Sequence, residues 1–144
     1  MDQIFQRLSS AFLYTLPLQA SIPFDYYLFD KYPSLKVIEY LTFPVTMIEK
    51  SLPLGDLLLF LILFAGLVRN PKVPYFVRYN ACQALLIDIA LIMITYLLTV
   101  LPFAELNSIV FIFIVCIFIY SLFQCFNGIE PEIPFISKSA RMQI

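Results

Sequence analysis

Three stretches of this chain, Leu57 to Val68, Ala84 to Thr99 and Ile109 to Phe123, carry a single charged residue between them, Asp88. The link ahead of the second, Arg69 to Asn80, is basic and aromatic and runs directly into that apolar helix. Apolar runs of this length belong in a bilayer, and short loops rich in Lys and Arg stay on the cytoplasmic or equivalent side. Arg69, Lys72 and Arg78 therefore set the topology. Composition agrees: 61% of the residues are hydrophobic and only 13% charged, about half the charged share of a soluble domain.

Crossing a hydrocarbon core of about 30 Å takes roughly 20 helical residues. The pattern predicts an all-α membrane protein, a single domain over residues 1–144, with four transmembrane helices in an antiparallel bundle and one interfacial amphipathic helix. The spans fall at about 8–24, 52–68, 80–101 and 106–127, and the interfacial helix at about 35–48. Pro17 and Gln19 predict a kink in the first span. Ser51 is placed to cap the second and Pro53 to fit its first turn, with Asn70-Pro71 ending it. The third begins in its headgroup-level turns at Pro74, where Tyr75, Phe76 and Tyr79 suit the aromatic belt, and Pro102 stops it. Gly128 stops the fourth. The short link Pro102 to Glu105 predicts that the last two helices pack directly against each other.

Segment 35–48 is about 21 Å long as a helix, too short to cross. It also holds Lys36, Glu39 and Pro44, so a position along the membrane surface is expected, with Tyr40 and Phe43 toward lipid. Tyr26, Tyr27, Phe29 and Tyr32 before it predict a second aromatic girdle on the opposite face. Four spans put Arg7, Arg69, Lys72, Arg78, Lys138 and Arg141 on one side and Lys31, Lys36 and Lys50 on the other. That bias is stronger than the one left by dropping the first span.

Polar residues inside such helices are costly and mark packing or transport. At about 100° per residue, Ala81, Ala84, Thr95 and Thr99 all fall within about 40° of Asp88. On the last helix Phe113, Cys116, Gln124 and Asn127 fall within about 40° of Tyr120. Asp88, Gln83, Asn80, Thr95, Tyr120 and Gln124 are thus the interior or channel-lining candidates, with Tyr14, Thr15 and Gln19 on the first span. Two readings stay open. Small and polar faces serve as glue between helices, or part of the stripe faces a hydrated groove. Asp88 is expected to face the bundle interior beside Cys116 and Tyr120. Asn80 and Gln83 sit shallower, where interfacial hydrogen bonding is the expectation.

Catalytic chemistry is not expected. The chain has no His, no paired acids, no Ser beside a base and no Gly-rich phosphate loop, so neither an enzyme nor a cofactor or metal is called for. Cys82, Cys116 and Cys125 lack metal-ligand spacing and are expected as buried free thiols. A net charge of −1 gives no footprint for nucleic acid. Lipid is the evident partner. The N-terminus MDQIFQR reads neither as a cleavable signal nor as an Arg- and Ser-rich transit peptide.

The run Arg69-Asn70-Pro71, Tyr75 to Ala81, Gln83-Ala84 and Leu86 to Ile89 resembles the central block of a known family. So do Leu13 to Leu18, Tyr120 to Cys125 and the tail pieces Pro134 to Ser137, Ala140 and Met142-Gln143. The family is the twenty-kilodalton subunit of the protein-import translocon at the chloroplast inner envelope, which also has plastid-encoded and cyanobacterial members. The likeness covers nearly the whole chain. It implies a four-span inner-envelope protein with stromal termini, part of a preprotein-conducting channel, working with larger translocon subunits and with preproteins in transit. It brings no catalytic residues. A small-solute permease subunit and a non-conducting scaffold are the competing functions.

Overall fold

The computed structural model describes residues 3–21, 31–52, 55–101 and 104–143, and every regular element among them is helical. The N-terminal segment is broken in two, α1 (Gln3–Leu13) and α2 (Thr15–Ser21). Pro17 causes the break without sitting at it. Its ring has no N–H and crowds the carbonyl four residues back, that of Leu13, so the helix ends there. The Tyr14 N–H closes the turn on Ala11 O at 3.2 Å. The expected kink therefore becomes a joint at Tyr14.

A 3₁₀ turn, Pro33–Leu35, leads into α3 (Lys36–Ser51), 16 residues that run through Pro44 without breaking. The helix is longer than the 35–48 expected, and Thr42 and Thr46 hydroxyls bond back to carbonyls one turn earlier within it. Thr42 and Val45 are buried, and α3 packs on α2. Tyr40 and Phe43 face outward. Tyr32 is exposed, whereas Tyr26, Tyr27 and Phe29 lie outside the described residues.

The cap expected at Ser51 would act on positions 53 and 54, outside the described residues. Ser51 itself ends α3, its hydroxyl bonded to Ile48 O at 2.8 Å, and Pro53 lies outside the described residues. The following helix, α4 (Gly55–Leu63), starts so close to α3 that a Cβ on Gly55 would collide with the Glu49 carbonyl. It continues as a π-helical stretch, Phe64–Val68, closed by the Arg69 N–H on Phe64 O at 3.0 Å. The Arg69 guanidinium lies over the Phe64 ring.

Pro74, extended at ψ 145°, is the N-cap of α5 (Tyr75–Val100), one residue outside the helix and not within its first turn. The 26 residues of α5 span about 39 Å and the 23 of α6 (Ala104–Phe126) about 34 Å at 1.5 Å each. These two helices are long and apolar enough to cross a membrane. Gly128 ends α6 as expected, at φ +74°. Its N–H bonds Cys125 O and the Ile129 N–H bonds Gln124 O, the paired closure that favours glycine here. The tail returns as α7 (Ile136–Gln143), packed on α5.

Among the described residues, direct pairing of α5 with α6 is slight, with Cys125 meeting Asn80 at one end. Both α1 and α2 pack on each of them, and among the described residues the N-terminal segment stands between the long helices. The link at Pro102 and Phe103 lies outside the described residues. A short connection brings helix ends together, but it does not prevent a third element from wedging between the rest.

The buried face of α6 is Phe111, Ile114, Phe118, Ser121 and Cys125, spaced alternately three and four residues apart. Phe113, Cys116, Tyr120 and Asn127 instead point outward. That is a rotation of about 100° or more from the expected stripe. Cys116 is therefore exposed while Cys82 and Cys125 are buried.

Candidate functional site

Two polar regions lie along α5. The first is a closed cluster near its start. Tyr14, at the α1–α2 joint, donates its hydroxyl to Asn80 Oδ1 at 2.7 Å and accepts from Gln83 Nε2 at 2.9 Å. The Asn80 amide nitrogen returns to Phe76 O at 2.8 Å, and the Cys125 thiol approaches Asn80 Oδ1 at 3.6 Å. The tail completes the set. Gln83 Nε2 and the Tyr79 hydroxyl both reach Pro131 O, and the Ser137 hydroxyl donates to Gln83 Oε1 at 2.8 Å. Tyr14, Tyr79, Asn80 and Gln83 are all fully buried. Asn80 and Gln83 therefore lie inside the helical body, their side chains bonded to protein partners. Asn80 accepts from Tyr14 and donates within its own helix, and Gln83 links the N-terminal joint to the tail, which removes the cost of burying either.

Arginines gather around this end. Arg7 Nη1 donates to Phe126 O and Arg78 Nε to Val68 O. Arg141 pairs with Glu130 at 2.9 Å and Glu132 at 3.4 Å, its guanidinium 4.6 Å from the Tyr79 ring centre. The N-terminal segment, the Arg69–Arg78 link and the tail therefore meet at one end of the helical body.

The second region is a cavity of about 510 Å³ beside the middle of α5. Asp88, Leu85, Leu91, Ile92 and Thr95 line it from α5, Leu16, Gln19 and Ala20 from α2, Glu49 from α3, and Phe60 and Leu63 among others from α4. Asp88 is half-buried and turns toward α2, α3 and α4. It does not lie beside Cys116 and Tyr120, because the N-terminal segment takes that position. Its stripe divides: Ala81 and Ala84 are buried, while Thr95 and Thr99 are exposed and bond to Leu91 O and Tyr96 O of their own helix. Tyr120 accepts from the Glu132 N–H at 3.3 Å, and Gln124 is half-buried on α6.

The alignment of helices follows from these contacts. α2 passes Asn80 and then Asp88, so it runs with α5. α4 passes the cavity and then Arg78, so it runs against it, as does α6, whose Cys125 meets Asn80. Sequence reading found Asn80, Gln83 and Asp88 but not Ser137 and Pro131 as the partners of Gln83, nor Tyr79 as sharing the Pro131 carbonyl with it. The one available signal was the match of Pro134 to Ser137 to a family tail.

The chain is similar over residues 2–140 to the family described as chloroplast import apparatus Tic20-like. Among curated proteins it is 29% identical to Protein TIC 20-v, chloroplastic, of Arabidopsis thaliana, over 96% of this chain and 70% of that one. It is also 29% identical to Protein TIC 20-II, chloroplastic, of the same plant, covering 96% and 72%. A Tic20 family protein of Synechocystis sp. is again 29% identical, covering 96% of this chain and 92% of the relative. With its all-helical fold and a family match running through both the cluster and the cavity, this chain belongs to the chloroplast import apparatus Tic20-like family.

Proposed function

We propose that this chain is a core membrane subunit of a preprotein-import translocon. It would reside in the plastid inner envelope, or in the equivalent membrane of a cyanobacterium, and contribute to a protein-conducting channel with other translocon subunits. The observation that carries the reading is the cavity at mid-height on α5. Asp88, Gln19 and Thr95 line it at a depth where polar groups are expensive in lipid, and Glu49 reaches it from α3. Its volume suits a few side chains, not a whole polypeptide. A conducting path would need further subunits or copies of this chain on the cavity side of α5.

Four spans fit the alternating directions of α2, α4, α5 and α6, with α3 along the opposite surface. Arg7, Arg69, Arg78 and Arg141 then share the stromal side. Single cysteines at Lys72 and Lys36, in a background without native cysteines, should label from opposite faces of sealed vesicles. Labelling from one face would defeat four spans.

The channel role is tested by photo-crosslinkers at Ile92 and at Phe113 in native complexes holding an arrested import substrate. Ile92, on the cavity, should reach the substrate and Phe113, on the outer face of α6, should not. Crosslinking at neither position, in complexes that do hold substrate, would favour a scaffold. Passage of a small solute without substrate contact would favour a permease.

A further inference from the structure

The tail presents one face that the cluster does not use. Pro134, Phe135 and Ile136 form a γ-turn, the Ile136 N–H bonded to Pro134 O at 2.8 Å, with Phe135 at φ +68°. Among the described residues Phe135 is the one non-glycine with positive φ, a conformation that L side chains resist. The turn throws the aromatic ring outward, leaving it 91% exposed, while Ile133 and Ala140 on either side are buried. On α7, Lys138 and Met142 lie about 40° apart on the face opposite Ala140, and Met142 is 78% exposed.

This face is held at a fixed height. Ser137 is fastened to Gln83, Pro131 to Tyr79, and Arg141 to Glu130, Glu132 and the Tyr79 ring. Tyr79 and Gln83 lie about 6 and 12 Å along the axis from the start of α5. That is the headgroup zone if α5 crosses a bilayer, and the tail acids are already turned to Arg141.

We propose that Phe135, Lys138 and Met142 form a docking surface for the anionic lipid leaflet on the side that holds the Arg69–Arg78 link. An aromatic ring and a thioether enter the acyl boundary and the ammonium meets lipid phosphate, the division of labour of interfacial segments. Lipid suits the face better than a second copy of the chain, because a two-fold contact would bring Lys138 against its own like charge. The inference rests on the reading of α5 and α6 as membrane spans.

The chain has no Trp, so Phe135→Trp supplies a sole indole, excited selectively at wavelengths longer than the tyrosine band, in the full-length protein. The variant is reconstituted in phosphatidylcholine vesicles with or without phosphatidylglycerol, using brominated acyl chains as quencher, and Tyr96→Trp on the exposed part of α5 is the control. Both indoles should be quenched by bromolipid. Phosphatidylglycerol should strengthen quenching at position 135, and Lys138→Gln should shift that equilibrium about five-fold toward exposure, the worth of one lysine near an anionic surface. Iodide quenching at 135 in both lipids, with Tyr96→Trp still quenched by bromolipid, would overturn the docking surface alone. Quenching that tracks the protein-to-lipid ratio would assign the face to a second copy and overturn it equally. Loss of bromolipid quenching at Tyr96→Trp would overturn the membrane reading and the inference with it.

Discussion

Tyr14→Phe tests whether the buried cluster is what joins the N-terminal segment to α5. The substitution keeps the ring and deletes one oxygen, so packing is unchanged. Two hydrogen bonds are lost, to Asn80 at 2.7 Å and from Gln83 at 2.9 Å. Neither amide is orphaned: Asn80 keeps Phe76 O and the Cys125 thiol, and Gln83 keeps Pro131 O and Ser137. The full penalty for a buried unsatisfied group therefore does not apply. Two bonds between helices at about 0.6 kcal/mol each give a loss of about 1 kcal/mol. On a chain of this size that lowers the midpoint by roughly 2–4 °C. Gln83→Leu removes three bonds and takes the tail's anchor, Ser137, with it, so a loss of about 2–4 kcal/mol is expected. Unfolding in mixed micelles titrated with a denaturing detergent measures both. A Tyr14→Phe loss under about 0.3 kcal/mol, below the usual additivity error, would refute the cluster as a joint. So would a Gln83→Leu loss no larger than that of Tyr14→Phe.

Gly128→Ala should cost about 1–2 kcal/mol, since Gly128 is left-handed; a Cβ there would also lie 2.8 Å from the Arg7 guanidinium. Adding Arg7→Ala should recover only the steric part. A small maleimide applied to the folded protein in detergent should modify Cys116 and spare Cys82 and Cys125, and the reverse pattern would contradict the rotation of α6. Asp88→Asn nearly preserves shape while removing charge, so assembly should survive while import or conductance changes. Normal import by that variant would leave Asp88 as a packing residue.

How far the sequence could be read differs from element to element. The stop at Gly128 was legible because a left-handed closure is a local event with a local signature. The break near Pro17 was legible in kind but misplaced, since the clash acts on the carbonyl four residues back. The orientation of α6 was not legible. Its residues from Ile109 to Ile119 are apolar all round, and lipid rewards the same side chains as a protein interior does. Polar stripes then mislead: Cys116 and Tyr120 align on the helix yet face outward, while Phe111 and Phe118 face inward. Asn80 and Gln83 were recognisable as polar and costly, but their partners come from 66, 69 and 54 positions away. No periodicity within one helix encodes such distances. The position of the N-terminal segment between α5 and α6 was hidden for the same reason, and it moved Asp88 from one neighbourhood to another.

The cluster also imposes an order on biogenesis. Gln83 is synthesised 54 residues before Ser137, so in a nascent chain its amide carbonyl lacks the hydroxyl that later donates to it. Tyr14 and Asn80 are available early and can pair first, drawing the N-terminal joint onto α5. Pro131 and Ser137 arrive last and close a pair already waiting for them. Between those two moments the amide must find water, a headgroup or a holding factor. A ribosome stalled within that window would display an intermediate whose least satisfied point is known in advance, and position 83 is where an assembly factor could read that the subunit is unfinished.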